Sequence, residues 1–320
     1  MTSAPGHPLG FDERSHWIDL AGPLHYMDFG GPADGPLIVA VHGLGGAAMN
    51  FSAVAPLVTD RCRVLAPDLA GHGLTESLGR STTVGANRRL LHAFIEAVAD
   101  RPVILMGNSM GGMLALLEAG AVPEAVAGLI LLAPAVPFLP ALPDPFVAAT
   151  VTAKGIPMLG RIILGRRRTL SPDQLVHTVL RFTCVDPSRI PAKVVAEHVE
   201  LAHRRIRFTD LEREFLIAAR SVVARAAAPQ RTRYRSAIRS IKVPVLLVHG
   251  KRDLLVPVAA SLAVARRHPS WRLVILPDIG HVPQLESPAK TAEAILDWLQ
   301  TDGQAAADAA SRPTPTAGGT

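Results

Sequence analysis

The chain has 320 residues, 48% of them hydrophobic and 19% charged, which is enough apolar bulk for one large core and too much for a disordered chain. No uninterrupted apolar run reaches ~18 residues, which argues against an ordinary transmembrane helix, and residues 1–15 lack the basic-then-apolar order of a signal peptide. The net charge of +6 is uneven: residues 134–241 hold 18 Lys and Arg against 8 Asp and Glu, while the remainder holds 15 against 19. A basic segment in acidic surroundings points to an anionic partner, or to a solvated Arg-rich helical surface. Two cysteines, Cys62 and Cys184, are too few and too far apart for a disulfide framework or a zinc site. They fit ordinary buried thiols in a reducing, cytoplasmic compartment.

Taken in chain order, Trp17–Leu20 and Leu24–Phe29 flank Ala-Gly-Pro and predict an antiparallel hairpin at a sheet edge. Short apolar runs with Gly or Pro flanks follow at Leu37–Val41, Val64–Ala66, Val103–Met106, Leu129–Leu132, Val245–Val248 and Leu273–Leu276, and each reads as a buried strand of a parallel sheet. Helices alternate with them. In residues 84–99, Leu90, Leu91, Phe94, Ile95 and Val98 share one face. Ser287-Pro288 supplies an N-cap and a first-turn proline to a helix that turns Ile295, Leu296 and Leu299 one way. The class is α/β, with a mostly parallel sheet of about eight strands flanked by helices.

The alternation breaks after Ala133, where Pro134–Pro145 holds five prolines in twelve residues. Helical patterns then run to about Ser240. The division is a core in two parts, 1–133 and 242–301, a helical cap inserted at 134–241, and a disordered tail at 302–320. Within the insertion, Phe146–Leu164 is largely apolar and leads to Arg166-Arg167-Arg168. Such a segment either rests weakly on an anionic membrane surface or covers a site with its arginines in water.

The chemistry centres on Gly107-Asn108-Ser109-Met110-Gly111, a Gly-x-Ser-x-Gly between a strand and an apolar helix. A nucleophile needs a sharp turn to project above the sheet, and glycines on either side let strand and helix approach closely. The helix N-terminus adds donors where negative charge would develop. Asp253 lies just beyond the fifth of these strand runs, Val245–Val248, and His281 lies on the loop after the sixth, Leu273–Leu276, giving the order Ser, acid, His. Asp278 is a rival acid. Two backbone donors for an oxyanion fall to the amide of Met110, just after the nucleophile, and to Leu44 in the loop His42-Gly43-Leu44-Gly45-Gly46. His42 reads as a buried structural histidine rather than a base.

His42–Gly46, Asp68-Leu69-Ala70-Gly71-His72-Gly73, Gly107–Gly112, Gly250-Lys251-Arg252-Asp253 and Gly280-His281 together resemble the α/β-hydrolase superfamily in its cap-domain branch, over about residues 17–299 apart from the insertion. The resemblance implies Ser109 as nucleophile, Asp253 as acid and His281 as base, with Asp68–Gly73 a loop beside the site. Ser109 stands where dehalogenases and epoxide hydrolases of this fold carry Asp. The Gly-Asn-Ser-Met-Gly-Gly elbow is similar to that of meta-cleavage carbon–carbon hydrolases as well as esterases. Against the first, Val282 replaces an aromatic residue after the histidine, and the loop at His42–Gly46 is short. The favoured expectation is a serine hydrolase acting on a small-molecule carboxylic ester, lipid esters included, with carbon–carbon cleavage of a vinylogous diketo acid as the alternative and a non-turning-over receptor as the third. With aromatics at 4%, a pocket walled by aliphatic side chains suits an acyl chain. The chemistry calls for no cofactor and no metal, and no nucleic-acid partner is expected.

Overall fold

A computed structural model of the protein describes residues 11–137, 170–226 and 230–311. Its sheet has eight strands: β1 (Ser15–Asp19), β2 (Pro23–Asp28), β3 (Leu37–Val41), β4 (Arg63–Pro67), β5 (Val103–Asn108), β6 (Val126–Leu132), β7 (Val245–Gly250) and β8 (Arg272–Leu276). Their order is β1-β2-β4-β3-β5-β6-β7-β8. β1 and β2 form the edge hairpin and join β4 antiparallel, and every other pairing is parallel. The four central strands β3, β5, β6 and β7 are buried along their whole length. That is why they read as unbroken apolar runs: a parallel sheet covered on both faces leaves no polar side to alternate with.

The two faces nevertheless separate residue by residue, as the period of two requires. Val39, Val41, Leu105, Leu129 and Leu247 join one apolar cluster with α1 (Val84–Val98) and α2 (Met110–Ala121). Ile38, Ala40, Ile104, Ile130 and Leu246 join the other. In α1, Leu91, Phe94 and Ile95 are buried, and the Thr83 hydroxyl caps the first turn by accepting from Ala86 N.

Between β6 and β7 the described chain forms α3 (Pro172–Thr183), α4 (Ala192–Arg205), α5 (Leu211–Ala226) and α6 (Gln230–Ser240). The sequence division puts all four in the insertion, but α6 packs on the core. Tyr234 and Ile238 are fully buried in the α1–α2 cluster, and a Cβ on Gly120 of α2 would lie 2.9 Å from the Ala237 Cβ. The Phe146–Leu164 segment and Arg166–Arg168 lie outside the described residues.

Beyond β7 come α7 (Val258–Ala265), α8 (Pro288–Gln300) and α9 (Gln304–Ser311). Ser287 occupies the N-cap of α8, but its hydroxyl makes no capping bond. The expectation of a tail from residue 302 is corrected by α9, whose Ala306 and Ala310 are fully buried against the sheet. The physical reason is size. A Cβ on Gly128 of β6 would meet the Ala306 Cβ at 2.6 Å, so a helix with alanine on its inner face fits where bulkier residues would not.

Candidate active site

Ser109 sits between β5 and α2 at φ 54° and ψ −113°. A non-glycine residue in that region is strained by roughly 1–3 kcal/mol and persists only where its surroundings dictate it. Here they do. Ser109 N–H donates to Leu132 O at 3.0 Å, and Ser109 O accepts from Met113 N and Ala135 N. A Cβ on Gly107 would lie 2.4 Å from the Gly111 backbone, and one on Gly111 would lie 1.9 Å from Val41 O. Strand, turn and helix are therefore pressed together at the glycines. Met110 is the first residue of α2, so its N–H has no acceptor within the helix. The loop after β3 lies against the same turn, since a Cβ on Gly43 would be 3.2 Å from the Ser109 Cβ. Leu44 follows, and Gly45 turns the loop at φ 72°.

Asp253 and His281 meet at the carboxyl ends of β7 and β8. Asp253 Oδ2 accepts from His281 Nδ1 at 2.7 Å, and Oδ1 accepts from the N–H groups of Leu255 at 2.7 Å and Val256 at 2.9 Å. Burial alone would raise the Asp253 pKa. The charge of His281 and the hydrogen bonds from His249 and His281 outweigh it and hold the carboxyl well below the usual carboxylate range. With Nδ1 donating to the carboxylate, His281 presents Nε2 as the basic nitrogen. The Asn108 amide nitrogen donates to His281 O at 3.1 Å and to Leu132 O at 3.0 Å, which ties the histidine loop to the residue before Ser109. Among the described residues no hydrogen bond joins the Ser109 hydroxyl directly to the His281 ring; in unliganded sites such bonds are commonly long. Asp278 is elsewhere. It is exposed and paired with Arg189 and Arg252, each at 2.7 Å, whose hydrogen bonds lower its pKa.

His42 is a structural histidine. Its Nδ1 donates to Gly43 O at 2.8 Å and its Nε2 accepts from Leu69 N at 3.1 Å, so both nitrogens are committed, and burial pushes its pKa down. Asp68 anchors the next loop by accepting from His25 Nδ1, Ala48 N and Leu74 N, all at 2.7 Å. Two residues at the site escaped the sequence reading. His249, fully buried, bonds Asp253 Oδ2 through Nε2 at 3.1 Å. Glu286, also buried, accepts from Val185 N and Asp186 N on one oxygen and from Gly280 N on the other. The one available signal was position: His249 immediately precedes the Gly250–Asp253 motif, and Glu286 follows His281 by five.

The chain is 26% identical, over 87% of its length, to the dihydrolipoyllysine-residue acetyltransferase component of an acetoin cleaving system from Pseudomonas putida, of which it spans 66%. It is 24% identical to a monoacylglycerol lipase of Homo sapiens, covering 86% of this chain and 81% of that one. A pimeloyl-[acyl-carrier protein] methyl ester esterase of Aromatoleum aromaticum is 29% identical, with 83% and 98% covered. Among solved structures, a lipase-like protein from Acinetobacter baumannii shares the fold with a TM-score of 0.73 at 22% identity, covering 91% of this chain and 92% of that one. A family model described as the alpha/beta hydrolase family matches residues 38–294, and the chain belongs to that family.

Proposed function

We propose that the protein is a serine hydrolase that cleaves carboxylic esters with an aliphatic acyl chain, using Ser109 as nucleophile, His281 as general base and Asp253 as the acid that orients it. The observation that carries this reading is the 2.7 Å bond from His281 Nδ1 to a buried Asp253, on a loop tied through Asn108 to the strained Ser109 turn. His281 Nε2 takes the hydroxyl proton as Ser109 Oγ attacks the ester carbonyl carbon. The oxyanion is received by the amides of Met110 and Leu44. The carbonyl–alkoxy bond breaks, the alcohol leaves with the proton from His281, and an acyl-enzyme remains. Water then attacks the acyl carbon, again giving its proton to His281; the acyl–Oγ bond breaks as His281 returns that proton to Ser109 Oγ, and the carboxylic acid leaves. Asp253 holds the imidazole tautomer and balances its transient charge.

The helices between β6 and β7, apart from α6, act as a cap. Phe215 of α5 supports this, its ring edge lying 3.0 Å from where a Cβ on Gly45 would stand. Relatives that include a monoacylglycerol lipase and a methyl ester esterase support ester cleavage, and lipid esters with it. Two free, buried thiols, Cys62 and Cys184, support a reducing, cytoplasmic location. No helix among the described residues is long and apolar enough to cross a membrane.

The test is turnover of p-nitrophenyl esters of graded chain length, a monoacylglycerol and a meta-cleavage diketo acid by wild type, Ser109→Ala and His281→Ala. Ester turnover that falls by a factor on the order of 10⁴ in each variant is the expected result. A folded variant that kept a tenth of wild-type kcat would overturn the assignment, and turnover of the diketo acid alone would replace ester cleavage with carbon–carbon cleavage.

A further inference from the structure

His249 stands behind Asp253 with no role in the mechanism above, yet it is bonded to the same carboxylate oxygen as His281. Its Nε2 lies 3.1 Å from Asp253 Oδ2 and 2.9 Å from Val256 O. Both neighbours are acceptors, so Nε2 carries the proton and donates to them. Its Nδ1 lies 2.7 Å from Ser261 Oγ on α7. Asp253 is thereby held by two donors on each oxygen: two backbone N–H groups on Oδ1 and two imidazoles on Oδ2. Among the described residues, Asp253 is the one charged side chain hydrogen-bonded or ion-paired to His249. β6 pairs Leu132 with Val248, β8 pairs Ile275 with His249 itself, and α7 presents the neutral Ser261. On the histidine loop, Asp278 is exposed and paired with Arg189 and Arg252, and the Glu286 carboxylate that follows is spent on Gly280, Val185 and Asp186.

We propose that His249 is a positioning residue, a second imidazole that fixes the Asp253 carboxylate toward His281 and sets the pH at which His281 becomes a base. The inference rests on the serine-hydrolase reading. A neutral donor on Oδ2 draws electron density from the carboxylate. Without it, Asp253 holds the His281 proton more tightly, and His281 must lose that proton before Ser109 can react. Removing the donor therefore moves the acid limb of kcat/KM to higher pH. A wandering carboxylate lowers kcat while leaving KM, which belongs to the substrate pocket, little changed.

The experiment is the pH profile of short-chain p-nitrophenyl ester hydrolysis, read at the isosbestic wavelength of the product, for wild type, His249→Leu, His249→Gln and Ser261→Ala, with Ser109→Ala as control. Gln places a donor near the position of Nε2. In His249→Leu the acid limb should rise by about 0.5–1 pH unit and kcat should fall about tenfold at unchanged KM, while His249→Gln recovers most of both. Ser261→Ala leaves the Asp253 contact in place but frees the far side of the ring, and should show the same shift in smaller measure should His249→Leu fail to fold. Unshifted limbs in folded His249→Leu, or in Ser261→Ala where His249→Leu does not fold, overturn the proposal. So does a loss of activity that only tracks a lowered Tm. Turnover by Ser109→Ala would overturn the hydrolase reading and this inference with it, whereas an inactive Ser109→Ala beside unshifted His249 variants overturns this inference alone.

Discussion

The backbone N–H of His281 donates to Thr183 O at 2.7 Å, so the loop that carries the imidazole is bonded to the last residue of α3. Glu286 reinforces the joint by gathering Gly280 N, Val185 N and Asp186 N on one buried carboxylate. The end of α3, with Val185 and Asp186 after it, and the histidine loop are thus one hydrogen-bonded unit. Glu286→Gln keeps the volume but turns an NH₂ toward one set of N–H donors, leaving buried donors unbonded at a cost of about 1–3 kcal/mol. The variant should unfold at lower urea concentration and lose about tenfold in kcat, because the imidazole is aimed less well. Wild-type kcat at reduced stability would limit Glu286 to a structural role.

The two aspartates after β7 and β8 have opposite surroundings, and substitution should separate them. Asp253→Asn puts an amide where His281 Nδ1–H needs an acceptor, and a wrong tautomer at the base is worth a factor on the order of 10⁴ in kcat. Asp278→Asn loses exposed pairs with Arg189 and Arg252, which solvent screens, and activity should stay within about threefold of wild type. Steady-state kinetics on the same ester decides the matter, and the reverse ranking would make Asp278 the acid.

The sheet was legible because burial on both faces writes itself as unbroken apolar runs: Leu37–Val41 is β3 residue for residue, and the other runs differ only at their ends. The Ser109 turn was legible because close approach of backbone demands glycine locally, at Gly107 and Gly111. What escaped depends on partners distant in the chain. The buried face of α9 is alanine because Gly128 of β6 leaves room only for alanine, and nothing within residues 302–311 says so. Nor does helical periodicity distinguish α6, resting on α2, from α3, α4 and α5. Glu286 is an ordinary polar residue until the fold brings Val185 N and Asp186 N to it, whereas His249 has its partner Asp253 only four residues away and shows its part only when His281 arrives on the same oxygen.

Gly111 offers a measure of how tightly the turn is built. Its missing Cβ would overlap Val41 O at 1.9 Å, a backbone atom that cannot rotate away. Gly111→Ala should destabilise the protein by about 1–3 kcal/mol or more and displace the Met110 amide, so activity falls with stability. Gly85, in the first turn of α1, is the control: its nearest neighbour is the end of the Arg225 side chain at 3.5 Å. Gly85→Ala should be neutral or stabilising by up to about 1 kcal/mol. Urea melts of the two variants beside wild type test this, and equal midpoints would mean that the turn yields.

Acid should weaken the fold through His72, on the loop beside His42. Its ring is buried, its Nδ1 donates to Ala70 O at 3.0 Å, and the His42 ring lies 5.1 Å away. Burial, then the neighbouring His42 and Arg205, push its pKa down to about 3 against the opposing pull of the Ala70 carbonyl and Asp68. The unfolded imidazole takes up its proton near 6.5, so the stabilisation is complete above that pH and is lost as pH falls from 6.5 toward 3. At pH 5 the loss from this one group is about 2 kcal/mol. His42, also shifted down by burial, acts in the same direction. His72→Asn keeps an N–H for Ala70 O but no longer titrates. Between pH 7.5 and pH 5, the wild-type unfolding free energy in urea should drop by about 2 kcal/mol more than that of the variant. If the two lost stability in parallel, protonation of His72 would not be the step through which acid acts on the fold.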